Sequence, residues 1–104
     1  MKCEKCGKDF EYKAEKGITY KGIDYHHNPP EFMLEKWAGE IIPLCRKDHV
    51  KLHKKIKEIM FKHSTCLKMI NSEHWLWLKT LPMNREGCIK EVIEFTKGWI
   101  KEND

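Results

Sequence analysis

Two groups of side chains in this sequence are of the kinds that hold ions and move protons. The first is Cys3-Glu4-Lys5-Cys6, a Cys-x2-Cys pair, joined by Cys45 and by a residue from a helix start, either Asp48 at Cys-x2-Asp or His49 at Cys-x3-His. Zn2+ takes four soft or borderline ligands in a tetrahedron, and one pair on a tight turn with a second pair at a helix start supplies them. Gly7 follows the first pair, free to take a positive φ so that both sulfurs turn toward one ion. A two-cysteine, two-histidine finger does not fit. That pattern needs about 12 residues before its first histidine and a gap of 3 to 5 before the second; here 19 residues separate Cys6 from His26, and His27 follows directly.

The second group is His26-His27 with His49-x3-His53. Histidines four apart on a helix share a face and can turn both imidazoles to one ion. Adjacent histidines in a strand point to opposite faces, so one of His26 and His27 can reach a metal over the helix while the other stays free as a base.

The elements that must carry these groups can be read from pattern and punctuation. Residues 1–17 form a knuckle, within which Phe10 starts the core. Ile18 to Tyr25 is β-branched and aromatic and predicts a strand that ends at His26-His27-Asn28-Pro29-Pro30; Glu40 to Leu44 predicts a second short strand, with a helical turn in the loop between. From about Lys47 to Lys62, a wheel at 100° per residue gathers Leu52, Ile56, Ile59, Met60, His49 and His53 within about 120°, and sets Lys51, Lys54, Lys55 and Lys62 opposite. Two more helices are predicted, Ser72 to Leu81 ended by Pro82, and Arg85 to Lys101 with Asn84 as N-cap. The last carries Ile89, Val92, Ile93, Thr96, Trp99 and Ile100 at helical spacing.

Length and charge bound the possibilities. At 104 residues the chain has room for one ordinary core, which excludes barrels and doubly wound enzymes. The net charge of +4 is modest, yet residues 46–62 hold seven basic side chains against two acidic ones, a local +5. No run reaches the roughly 18 to 20 apolar residues of a membrane span, so no membrane partner is expected and a cytoplasmic location is. In that compartment five cysteines, an odd number, read as thiols and metal ligands before disulfides. Cys66 and Cys88 are expected as buried small hydrophobes, His63 and His74 as non-catalytic. Trp75 and Trp77, two apart, cannot share one helix face.

The ordered succession of Cys3-x2-Cys6, Tyr25-His26-His27-Asn28-Pro29-Pro30, and Ile41-Ile42-Pro43-Leu44-Cys45-Arg46-Lys47-Asp48-His49-Val50-Lys51-Leu52-His53 resembles the HNH endonucleases, the ββα-metal nuclease group that includes colicin-type and phage enzymes. The likeness covers about residues 3 to 60 and leaves the last forty outside. It implies an α+β fold: a zinc-stabilised, treble-clef-like ββα-metal unit over residues 1–62, then a helical extension over 63–104 packed on the same core. It also implies a structural Zn2+ on Cys3, Cys6, Cys45 and Asp48. A second divalent ion, Mg2+, Mn2+, Ni2+ or Zn2+, would sit on His26, His49 and His53, with His27 as the base that activates water. The implied reaction is hydrolysis of phosphodiester bonds in DNA, the ion stabilising charge on the phosphate and the leaving oxygen. Arg46, Lys47, Lys51, Lys54 and Lys55 would follow the nucleic-acid backbone.

Two positions depart from the family pattern. Glu40 stands where the family has its middle Asn, the residue that fixes the loop and the base; a carboxylate accepts such bonds but donates none. Asp48 stands where zinc-bearing members usually place a fourth cysteine. They motivate a second expectation, a degenerate member that keeps the zinc-stabilised fold and binds nucleic acid or a protein without cutting. Residues 63–104, rich in Trp and Ile, would serve a homodimer or a protein partner.

Overall fold

The computed structural model describes residues 2–8, 12–14, 17–19, 23–80 and 84–102. After the first knuckle comes a short antiparallel ladder of β1 (Tyr12–Ala14) and β2 (Gly17–Thr19). A longer antiparallel ladder pairs β3 (Ile23–Asn28) with β4 (Glu40–Cys45), placing His26 opposite Ile42 and Asn28 opposite Glu40. Among the described residues three helices follow: α1 (Arg46–Lys62), α2 (Glu73–Lys79) and α3 (Arg85–Lys101). The chain is thus a small α+β protein, with the strands in its first half.

The first predicted strand differs from the observed ones. It splits into β2 and β3, and β3 continues through both histidines to Asn28 instead of ending before them. The reason is local: proline removes its own N–H from a ladder but leaves the preceding residues able to pair, so pairing stops at Pro29. Between β3 and β4 the chain makes a 3-10 turn over Glu31–Met33, buries Met33, and is pinned by the Trp37 indole, whose Nε1–H donates to the Pro29 carbonyl at 2.7 Å. Gly39 lets the loop close onto β3. A Cβ there would press on the Asn28 carbonyl and stand 3.1 Å from Pro29 Cδ.

α1 is the central helix, with α2, α3 and both long strands packed on it. Leu52, Ile56 and Met60, one turn apart, are fully buried. They meet Leu44 from β4, Leu76 and Trp77 from α2, and Cys88, Val92 and Trp99 from α3 in one cluster, so residues 63–104 share the core of the first half. Helix starts lie where the capping residues put them. Ser72 Oγ accepts from the Trp75 N–H at 3.4 Å, and Asn84 Oδ1 accepts from the Gly87 N–H at 3.0 Å.

The two tryptophans of α2 separate as their spacing requires: Trp77 is buried under the Arg85 guanidinium, 4.6 Å from its ring centroid, while Trp75 is exposed. Cys88 is buried as expected, but Cys66 is only half-buried, because it lies in the irregular segment after α1 and not in a core-facing helix. Leu67, Met69 and Leu78 stand exposed nearby. Phe10, Tyr20, Leu81 and Pro82 lie outside the described residues. Among the described residues no helix is long and apolar enough to cross a membrane.

Candidate metal centres

The cysteine group is assembled by two tight turns. In the knuckle, the Gly7 N–H donates to the Cys3 carbonyl at 2.9 Å and the Cys3 N–H to the Lys8 carbonyl at 3.0 Å, with Gly7 at φ +76, the left-handed region that favours glycine. The Glu4 N–H donates to the Pro43 carbonyl at 2.9 Å and so docks the knuckle on β4. Cys45 ends β4 and is the N-cap of α1. Backbone N–H groups then point at sulfur on both turns, Cys6 N to Cys3 Sγ and Asp48 N to Cys45 Sγ, each at 3.5 Å.

The four ligand atoms of Cys3, Cys6, Cys45 and Asp48 all lie within 4.8 Å of one another. Cys6 Sγ and Cys45 Sγ are 3.9 Å apart, and Asp48 Oδ2 accepts from the Cys3 and Cys45 thiols at 3.3 and 3.1 Å. A tetrahedral ion with bonds to sulfur of about 2.3 Å would hold two sulfurs about 3.8 Å apart, so the spacing fits one. Burial pushes the Cys45 thiol up to about 12. Burial also works against the Asp48 carboxylate, but thiol hydrogen bonds from Cys45 and then Cys3 hold it below its ordinary range. Three sulfurs and a carboxylate thus converge on one point, and the group could hold a metal ion.

His49 does not join the cysteines. The residue that completes their group is Asp48, and His49 stands with His26 and His53, its ring centroid 5.3 Å from the first and 4.5 Å from the second. Ligand nitrogens of these three histidines likewise lie within 4.8 Å of one another. His26 Nδ1 is 3.2 Å from His53 Nε2. Two imidazoles on one tetrahedral ion, with bonds of about 2.0–2.1 Å, stand about 3.3 Å apart. Carboxylates fix two of the rings: the His53 Nδ1–H donates to Glu73 Oε2 at 2.8 Å, and the His49 Nδ1–H to Asp24 Oδ2 at 3.1 Å.

His26 is fully buried, and its Nε2 has no hydrogen-bond partner. Burial, followed by the nearby imidazoles of His53, His49 and His27, lowers its pKa to about 3. It is therefore a neutral imidazole across the physiological range, the form that ligates. The donor set of three imidazoles fits an ion, and this group too could hold one. Beside it opens a cleft of about 450 Å3 lined by His49, Val50, His53, Lys54, Lys57 and Glu73.

The remaining expected residues are placed as follows. His27 projects from the face of β3 opposite His26, as strand alternation requires; its Nε2–H donates to Glu31 Oε1 at 3.1 Å and its ring meets Trp37 edge-on at 4.9 Å. Glu40 is exposed, its carboxylate makes no hydrogen bond among the described residues, and it lines a separate groove with Lys97 and Lys101. Of the basic residues, Lys54 faces the histidine cleft, Arg46 stands 3.7 Å from Asp24, and Lys55 lines another face of α1 beside Phe95. Lys47 and Lys51 are exposed, with no part in that cleft.

Two residues at the histidine group escaped sequence reasoning, while Lys57 was among the basic residues counted over 46–62. Asp24 could have been found, since it stands two before His26 and so shares its face of the strand. Glu73 had no local signal, because it reaches His53 across twenty positions and an irregular segment. Comparison with protein-family models, with curated proteins and with solved structures finds no match for this chain.

Proposed function

We propose that this chain is a metal-dependent endonuclease of the HNH kind, hydrolysing phosphodiester bonds in DNA. The observation that carries the reading is the convergence of His26, His49 and His53 nitrogens beside a cleft whose walls include Lys54 and Lys57. Cys3, Cys6, Cys45 and Asp48 hold a structural Zn2+, the ion for which three thiolates and a carboxylate are a natural set. The histidines hold the second ion, which supplies Lewis-acid stabilisation of phosphate charge when bound. An all-imidazole set favours Ni2+ or Zn2+ over Mg2+, which prefers oxygen.

The other steps fall to the chain. Lys54 and Lys57 hold the phosphate by charge, which makes the affinity salt-dependent and largely blind to sequence. His27 accepts the proton of the attacking water. Glu31 binds its Nε2–H, which leaves Nδ1 with the free lone pair, the arrangement of a base oriented by a carboxylate. Glu40 replaces the family's asparagine without touching His27, and Glu31 takes over the orienting bond.

A second reading rests on the same residue. Because His27 leaves β3 on the face opposite His26, the chain could instead bind nucleic acid or a protein through the zinc-stabilised fold without cutting. Incubating supercoiled plasmid with the chain and Mg2+, Mn2+, Ni2+ or Zn2+ separates the two. Nicking by the native chain that is lost in His27→Ala supports the nuclease; no nicking with any metal leaves only the binding protein, and undiminished nicking by His27→Ala overturns His27 as the base.

A further inference from the structure

We propose that Glu73, carried by α2 in the extension outside the family likeness, is a positioning residue of the histidine centre: its carboxylate locks His53 in the tautomer that leaves Nε2 free for the ion. The inference rests on the reading that His26, His49 and His53 hold a divalent ion. An imidazole can ligate through Nε2 only if its proton sits on Nδ1, and a carboxylate bonded at Nδ1 holds it there while making the ring more basic.

Glu73 meets those requirements closely. Both its oxygens lie within reach of His53 Nδ1, at 2.9 and 2.8 Å, and they have no other partner among the described residues. Its side chain is 19% exposed, so salt screens the interaction less than it would a fully exposed pair. On the other side of the same ring, Nε2 stands 3.2 Å from His26 Nδ1, which aims it into the cluster. Asp24 performs the same service for His49 less strongly, since its second oxygen stands 3.7 Å from the Arg46 guanidinium, which draws off part of its charge.

The helix that bears Glu73 is fixed independently of any metal. Leu76 and Trp77 anchor α2 in the core, and Phe32 packs on His74 and Trp77 at centroid distances of 5.9 and 6.4 Å. Glu73 therefore arrives at His53 preplaced, and the extension belongs to the metal centre as well as to the core.

The test uses the full chain with its cysteine group loaded with zinc, and Ni2+ as the probe. Calorimetry gives the Kd for Ni2+, and the ring-nitrogen NMR shifts of His53, recorded before nickel is added, give its tautomer. Glu73→Gln is expected to weaken Ni2+ binding by about 10- to 100-fold and to turn a single Nδ1–H form into a mixture. Asp24→Asn is expected to weaken it less, and Glu73→Asp to restore part of the loss. Affinity of Glu73→Gln within about two-fold of native overturns the proposal, and so does lost affinity with the His53 tautomer unchanged, because the carboxylate would then act only through the fold. A native chain that takes up no Ni2+, or uptake that survives His53→Ala, overturns the histidine site itself along with it.

Discussion

Asp48 stands where a fourth thiolate would complete an all-sulfur site, and its chemistry is legible in its neighbours: two thiols donate to one carboxylate oxygen at 3.3 and 3.1 Å. Carboxylate is a harder ligand than thiolate, so Asp48→Cys is expected to tighten zinc binding. Asp48→Ala is expected to weaken it by more than the roughly 10- to 100-fold that follows from losing an outer partner of a ligand. Chelator competition measures both, and Asp48→Ala with unaltered affinity would show that the carboxylate is not a ligand. A second residue-scale prediction concerns pH. A hydrogen bond from the Lys62 ammonium at 2.5 Å, then one from His63 at 3.0 Å, hold the Glu91 carboxyl below its ordinary value of 4.5. A depressed carboxyl stabilises the fold above its unfolded pKa and loses that contribution as pH falls through its folded one. The ion pair is largely exposed, so Glu91→Gln is expected to cost under about 1 kcal/mol in denaturant titrations near neutral pH. That difference should shrink as pH falls below 4.5, the ordinary value.

Among the elements, the loop between β3 and β4 matters most, because it closes the hairpin that carries His26 and His27. Its closure depends on Gly39 lying against the Asn28 carbonyl and Pro29 Cδ. Gly39→Ala must push backbone apart, and is expected to destabilise the fold by roughly 1 to 3 kcal/mol, the usual cost of overpacking, which a shift in urea midpoint would show. An unchanged midpoint would mean that the loop relaxes freely. Elements with local signals were well legible: Asn84 and the apolar spacing of Val92, Thr96 and Trp99 gave the limits of α3, while the expected strand and central helix fall one residue short of the observed β4 and α1, which meet at Cys45. The β1–β2 ladder and the passage of β3 through the histidines were not, since strand pairing depends on a partner that no local pattern names. Glu73 was hidden for a related reason. Its position follows from how α2 packs on α1, a tertiary fact with no periodicity to announce it.

For the whole molecule, the basic charge and the histidine group that could hold a metal ion meet on α1. The helix buries Leu52, Ile56 and Met60, sets His49 and His53 at the edge of the core, and places Lys54 and Lys57 beyond them around the cleft. The wheel foresaw histidines with the core and lysines opposite; burial shows the histidines at the boundary, where an ion on them is reachable from outside. Only part of the local +5 therefore faces the cleft, and this separates the lysines experimentally. Lys54→Gln and Lys57→Gln are each expected to weaken DNA binding and to lower the salt slope by about 1, while Lys55→Gln leaves both nearly unchanged. Equal effects from all three would instead describe a diffuse basic surface. At the far end of the molecule, the Lys5 ammonium donates to the Trp99 carbonyl at 2.6 Å and the Glu102 carbonyl at 2.9 Å, so the knuckle is tied to the end of α3 and the cysteine group to the extension.

The most direct measurement is plasmid nicking as a function of added Ni2+, by the full chain with its cysteine group already filled with zinc. The expected result is no cutting before nickel is added, a rate that rises and saturates as the histidine group fills, and no rise in His53→Ala. No cutting at any nickel concentration, or an identical rise in His53→Ala, would contradict the assignment of a catalytic ion to His26, His49 and His53.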